Sequence, residues 1–322
     1  MKLQTQIPIP IPEGGSQINY QSQLLILGSC FAQNMGKKLE YFKFQTLQNP
    51  FGILFHPLAI EKLISKATTA EYYTEKDVFF LNERWYCFDA HSDLSDRSKA
   101  GLLEKLNLGL QHTKQQIARA SHILITLGTA WVYRKIDTNT LVANCHKLPQ
   151  KDFSKELLSV DEIKHSLEAT IKRVKALNNT IQFVFTVSPV RHLKDGFVEN
   201  QRSKAHLIAA VHCAIKTLSK GERCQEAYFP SYELQMDELR DYRFYASDMM
   251  HPNQLAIDYI WEKFVTVWIS STAHRTMAEV DAIQKGMQHR PFHPESEQHQ
   301  SFMESLEKKI TYLQGEYPNI KF

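Results

Sequence analysis

The sequence of 322 residues predicts an α/β domain built on a doubly wound parallel sheet, and three features of its pattern carry that prediction. Unbroken runs such as Leu24-Leu25-Ile26-Leu27, Ile123-Leu124-Ile125 and Ile181-Gln182-Phe183-Val184-Phe185 read as strands covered on both faces, because a half-exposed strand would alternate. The runs stop at small residues, Gly28, Gly128 and Ser188. Between them lie stretches with apolar residues at helical spacing, the alternation expected when parallel strands are joined by crossover helices.

Taken in order, Ile7-Pro8-Ile9-Pro10-Ile11-Pro12 is extended, since each proline fixes its own φ and restricts its predecessor. After the strand at 24–27 and Gly28, the period changes: Phe31, Met35 and Leu39 form one helical stripe, and Ala32 and Gly36 permit close approach to a sheet. A second strand at 44–47 runs into the turn Asn49-Pro50-Phe51-Gly52, and His56-Pro57 starts a helix, with His56 an ordinary residue of its first turn. Residues 77–95 read as an inserted β-hairpin turning at Asn82-Glu83, whose aromatic residues either roof a crevice or form a small satellite core. A long helix follows over 95–120, marked by Leu102, Leu103, Leu106 and Leu110.

The third core strand, 122–127, ends at Gly128-Thr129. A second hairpin, 132–134 with 141–143, leads into Asn144-Cys145-His146-Lys147, which is either a site or a solvated turn. Helices over 160–177 and 200–219 flank a fourth strand that ends at Ser188-Pro189-Val190-Arg191-His192, and a fifth strand lies at 227–229. The last helix of the domain carries Leu255, Ile257, Ile260, Trp261, Phe264 and Trp268. Residues 1–271 are thus read as one domain, and 272–322 as an appended helical arm with a surface for pairing with a second chain.

Bulk properties narrow the function classes. A hydrophobic content of 43% supports a sizeable core, while a formal charge of +3 spread along the chain gives no basic stripe for nucleic acid. Five cysteines without Cys-x-x-Cys spacing indicate neither a disulfide framework nor a metal site, and fit a reducing, cytoplasmic setting. No apolar run reaches the length of a membrane span, and the first residues lack the core of a signal peptide. No cofactor motif is present, so a cofactor-free protein is expected.

Two stretches carry the chemistry. Ser29 sits at a strand-to-helix corner on the carboxyl edge of the sheet, where open α/β sheets bind ligands and a helix start stabilises an oxyanion; it is either a nucleophile or the helix cap. In Asp248-Met249-Met250-His251-Pro252-Asn253, Pro252 suits a first helical turn, and Asp248 can reach the His251 imidazole, holding its tautomer and leaving the other nitrogen as general base. Arg191, His192, Asn144, His146 and Lys147 follow strands that end on the same edge, and are expected to line the crevice mouth and handle an anionic or polyhydroxylated substrate.

Gly28-Ser29-Cys30-Phe31-Ala32 is identical to the motif that names the GSCFA family, and Asp248-x-x-His251-Pro252-Asn253 resembles the last block of the SGNH or GDSL hydrolases. Asn49-Pro50-Phe51-Gly52, Leu127-Gly128-Thr129-Ala130-Trp131, Asn144 to Lys147 and Ser188 to His192 are similar to family blocks in the expected order, over about residues 20–270. The resemblance implies a three-layer α/β/α sandwich with a five-stranded parallel sheet, and a metal-free serine hydrolase or acyltransferase acting on an acyl ester, such as an acylated glycan or small alcohol. Ser29 is then the nucleophile, with His251 and Asp248 as base and orienter. Cys30, its side chain buried, and Gly52 give N–H groups to the oxyanion hole. Many such enzymes carry Gly-x-Asn where this chain has Gly128-Thr129-Ala130, so Thr129 or Asn144 has to replace a side-chain amide. Two further readings stay open: a module that binds a glycan or peptide without turnover, and a thiol enzyme using Cys30.

Overall fold

The first crossover begins at β1 (Gln23–Gly28), followed by α1 (Cys30–Tyr41) and β2 (Gln45–Gln48). The computed structural model describes residues 4–11, 17–218 and 226–322; Pro12, Ser219 and Cys224 lie outside the described residues. Phe31, Ala32, Met35, Gly36 and Leu39 are the buried stripe of α1, as their spacing requires. α2 (Pro57–Thr69) starts with proline at its first position, capped by the His56 ring, whose Nδ1 accepts the Ala59 N–H at 3.2 Å. β3 (Val78–Leu81) and β4 (Arg84–Cys87) form an antiparallel hairpin. Its turn residues Asn82 and Glu83 have φ of 44° and 63°, the two left-handed positions of a type I′ turn.

α3 (Lys99–Arg119) leads to β5 (His122–Leu127). The second inserted unit is larger than a hairpin: β6 (Trp131–Lys135), β7 (Thr140–Val142) and β8 (Phe153–Leu157) make a three-stranded antiparallel sheet in the order β7-β6-β8. α4 (Val160–Leu177) opens on a capping box of Ser159 and Glu162. It is followed by β9 (Gln182–Val187), α5 (Phe197–Leu218), β10 (Glu226–Tyr228) and the single turn α6 (Ser231–Glu233). α7 (Gln254–Trp268), α8 (Ser271–Gln288) and α9 (Glu297–Glu316) complete the chain.

The central sheet is all parallel in the order β10-β9-β5-β1-β2. From β1 the chain crosses first to β2 on one side and later to β5 on the other, so a crevice opens at the carboxyl ends of β1 and β5. Alternate side chains of the strands feed two cores. Leu25, Leu27, Ile123, Ile125, Phe183 and Phe185 face α2, α3, α4 and α5. Leu24, Ile26, Leu124 and Val184 face α1 and α7. Gly28 ends β1 at φ +130°, where a Cβ would stand 2.1 Å from the Thr126 carbonyl oxygen; only glycine lets the two strands run that close to the corner.

Met277, Val280 and Ile283 of α8 and Leu306 and Leu313 of α9, in the appended helical segment, share the core beneath α1 and α7. The β3–β4 hairpin is a satellite core rather than a roof: its Phe79 and Tyr86 pack, with Phe88, around His146. Trp131, Tyr133, Val142 and Phe153 of the β6–β8 sheet line the crevice instead, and the third strand of that sheet is not signalled in the sequence. Among the described residues no helix is long and apolar enough to cross a membrane.

Candidate active site

Ser29 has extended backbone, φ −70° and ψ 176°, and caps α1: its Oγ accepts the Phe31 N–H at 3.3 Å while its own N–H donates to the Thr126 oxygen at 3.0 Å. It is fully buried. Cys30, the first helical residue, is half-buried and lines a cavity of about 540 Å³. The expected orientations of the pair are therefore reversed. The cap conformation folds the Ser29 hydroxyl back over its own helix start, and the next side chain is the one that meets the cavity. Burial raises the pKa of the Cys30 thiol, while the Lys204 charge and the Phe31 and Cys30 N–H groups pull it down. As the first helical residue, Cys30 also keeps an N–H that α1 cannot satisfy internally.

His251 lines the same cavity. Its Nδ1 is 2.6 Å from Asp248 Oδ2, and Asp248 Oδ1 accepts the N–H groups of Met250 at 2.9 Å and His251 at 3.0 Å. Met249, at φ 56°, closes this tight turn. The His251 and Met250 N–H groups, then the ring, hold the Asp248 carboxyl down at about 2, so it is ionised and fixes the proton on Nδ1. The other ring nitrogen, Nε2, has no hydrogen-bond partner among the described residues. Asn253 caps α7 through the Ala256 N–H at 3.1 Å, and the Arg191 N–H donates to the Met250 oxygen at 3.1 Å, stitching this loop to the end of β9.

Asn144, Lys147, Arg191 and His192 border the cavity, and Thr129 reaches it. The Thr129 polar groups are already engaged: its N–H donates to the Phe55 oxygen at 3.1 Å, and its hydroxyl meets Ser203 Oγ at 3.0 Å and accepts the Trp131 N–H at 3.1 Å. Gly52 is away from the cavity lining, and its N–H is spent on the Asn49 oxygen at 2.7 Å within its own turn, so it does not serve as the expected oxyanion donor. His146 is also displaced from its expected role. Its Nδ1 pairs with Ser92 Oγ at 3.0 Å and its Nε2 with the Cys87 oxygen at 2.8 Å, and burial pushes it down to about 4. It braces the hairpin. Asn144 Oδ1 accepts the His146 N–H at 2.8 Å, which directs its amide donors elsewhere.

His192 stands closer to the corner. A Cβ on Gly128 would lie 3.4 Å from both His192 Nε2 and the Ser29 Cβ. That Nε2 is buried with no partner among the described residues, and burial, then the Lys204 and His251 charges, push the ring down to about 3. It is a neutral imidazole.

Sequence reasoning missed Lys204. It is 1% exposed, and its Nζ donates to the Gly128 and Ser188 oxygens, each at 2.7 Å, clamping the ends of β5 and β9. Burial pushes its pKa down to about 7, with Cys30 acting the other way. The signal lay in the α5 stripe, where Asn200, Ser203 and Lys204 continue the buried face of Leu207, Val211 and Ala214. Among the described residues no three His, Cys, Asp or Glu side chains cluster as a metal would require.

Residues 23–264 match the model of the GSCFA family, and residues 280–322 match that of the GSCFA domain protein, C-terminal domain. No curated protein matches the chain.

Proposed function

The chain belongs to the GSCFA family, and we propose that it is an acyl-transfer enzyme that hydrolyses an acyl ester, or passes its acyl group to another acceptor, through Cys30, His251 and Asp248. The observation that carries this reading is the shared cavity: a thiol at a helix start and an imidazole oriented by a carboxylate border one space. The order of sequence blocks and the His-Asp pair ahead of the last sheet-flanking helix support an SGNH-type assignment. A thiol nucleophile also suits a reducing, cytoplasmic compartment.

In the reaction, His251 Nε2 takes the Cys30 thiol proton as Sγ bonds to the carbonyl carbon, and the carbonyl electrons move to oxygen. The Cys30 N–H, the positive end of α1 and the neutral His192 ring stabilise that oxyanion. Collapse breaks the ester C–O bond, and the leaving alcohol takes the proton from His251. Water, or an acceptor hydroxyl, then gives a proton to His251 and attacks the thioester; the C–S bond breaks, and the thiolate recovers its proton from His251. Trp131, Tyr133 and Phe153 on the cavity wall suit a sugar face or an acyl chain.

One observation favours the binding-module reading: burial holds Cys30 toward the neutral thiol. Incubation of the full chain with p-nitrophenyl acetate, followed by intact-mass and peptide mapping, decides between them. Cys30 is expected to carry the acetyl group in wild type and in Ser29→Ala, and Cys30→Ala to carry none. An adduct kept in Cys30→Ala and lost in Ser29→Ala restores the serine. No adduct and no turnover in any variant leaves a binding module.

A further inference from the structure

The cavity wall is unevenly charged. Lys147, Arg191 and Lys194 border it, and none of the three has an ion-pair partner among the described residues. The carboxylate on the wall is engaged, Asp195 pairing with Lys155, and Asp248 is bound to His251. Arg191 differs from the lysines in being held. Its guanidinium lies over the Tyr245 ring at 4.3 Å and the Tyr242 ring at 5.2 Å, and its backbone N–H is bonded to the Met250 oxygen. Both rings line a smaller pocket that Arg191 also borders, so its guanidinium packs at the boundary between that pocket and the cavity. The guanidinium N–H groups have no hydrogen-bond partner among the described residues, and such a fork binds two oxygens of a planar anion side by side. The same backbone link sets this fork against the loop that carries His251, so an anion and the base are held by one rigid unit.

We infer that the cavity takes an ester bearing a second, anionic oxygen group, a carboxylate or a phosphate, and that Arg191 is the residue that holds it. The inference rests on Cys30 being the acylated group, and it narrows the substrate class to acidic esters. A cavity of about 540 Å³ accommodates a small acidic ester whole. Lys147 and Lys194 add attraction at the rim without fixing geometry.

Alkylation tests the inference on the full chain, with mapping of Cys30 and of exposed Cys213 on α5 as the internal standard. The ratio of iodoacetate to iodoacetamide rates at Cys30 is expected to exceed that at Cys213 by about tenfold at low salt. Arg191→Gln should bring the two ratios together, and Arg191→Lys, which keeps the charge but loses the fork, should keep only part of the difference. Protection of Cys30 from iodoacetamide by succinate points to a carboxylate ligand, and protection by inorganic phosphate to a phosphate ligand. Equal ratios at the two cysteines, a preference unchanged in Arg191→Gln, or protection by neither anion overturns the anion site while leaving Cys30 as nucleophile. If neither reagent reaches Cys30, the nucleophile assignment falls, and this inference with it.

Discussion

A buried ammonium stands behind the candidate nucleophile. Lys204 at about 7 is near the pH where ammonium and amine are equally populated, and its charge draws the Cys30 thiol toward thiolate. Lys204→Met keeps the stem but removes the charge and orphans the Gly128 and Ser188 oxygens, which costs about 1–3 kcal/mol for a buried acceptor left unpaired. The Cys30 alkylation midpoint is expected to move to higher pH in this variant. A brace with no electrical role would lower the melting temperature and leave that midpoint where it was. His192 has a separate test. His192→Phe preserves a ring against Phe55, whose centroid is 6.1 Å away, but removes the buried nitrogen. Turnover should fall about 10²–10³-fold at nearly constant KM, as for loss of an oxyanion donor, and an unchanged kcat would take His192 out of the reaction.

The corner between β1 and α1 shows at the scale of elements what the sequence can and cannot state. Gly28→Ala is expected to prevent folding or to lower the melting temperature severely, because the Thr126 carbonyl it would strike is backbone of the neighbouring strand and has no room to retreat. Ser29→Ala removes only the cap, about 1 kcal/mol, and should melt slightly earlier with turnover intact. The strands were legible because burial on both faces writes apolar runs, and the helix start because the period changes at Phe31. Which of Ser29 and Cys30 meets the cavity was not, since that depends on the backbone angles of a single cap residue. β8 escaped notice because Phe-Ser-Lys-Glu-Leu is a polar edge strand paired only with β6. Asp248 and His251 were readable from a local turn ahead of a proline, whereas a lysine on a helix stripe ordinarily reads as solvent-facing.

Across the whole molecule, neutral buried histidines join elements that the sheet alone does not hold together, and this makes the fold sensitive to acid. His56 links the start of α2 to β7 through the Val142 oxygen at 3.2 Å, and His146 links the loop after β7 to the end of β4 through the Cys87 oxygen. Both rings are pushed down to about 4, chiefly by burial, from an ordinary value near 6.5. Between those pH values the unfolded chain binds protons that the folded chain refuses, so stability rises with pH across that window and is lost on acidification from about 6.5 toward 4. At pH 5 the loss is about 2 kcal/mol for each ring, a large share of the stability of an ordinary domain. Asp248 acts in a lower window, its contribution fading only as pH falls from about 4 toward 2, so the two effects separate. Urea unfolding at pH 7, 6 and 5 should therefore show a midpoint that falls steeply with pH. His146→Gln, which keeps polar atoms near Ser92 and Cys87 but does not titrate, should flatten that fall by the share of one ring. A midpoint that is the same at pH 7 and pH 5 would mean that these rings are already protonated, or solvated, in the folded protein.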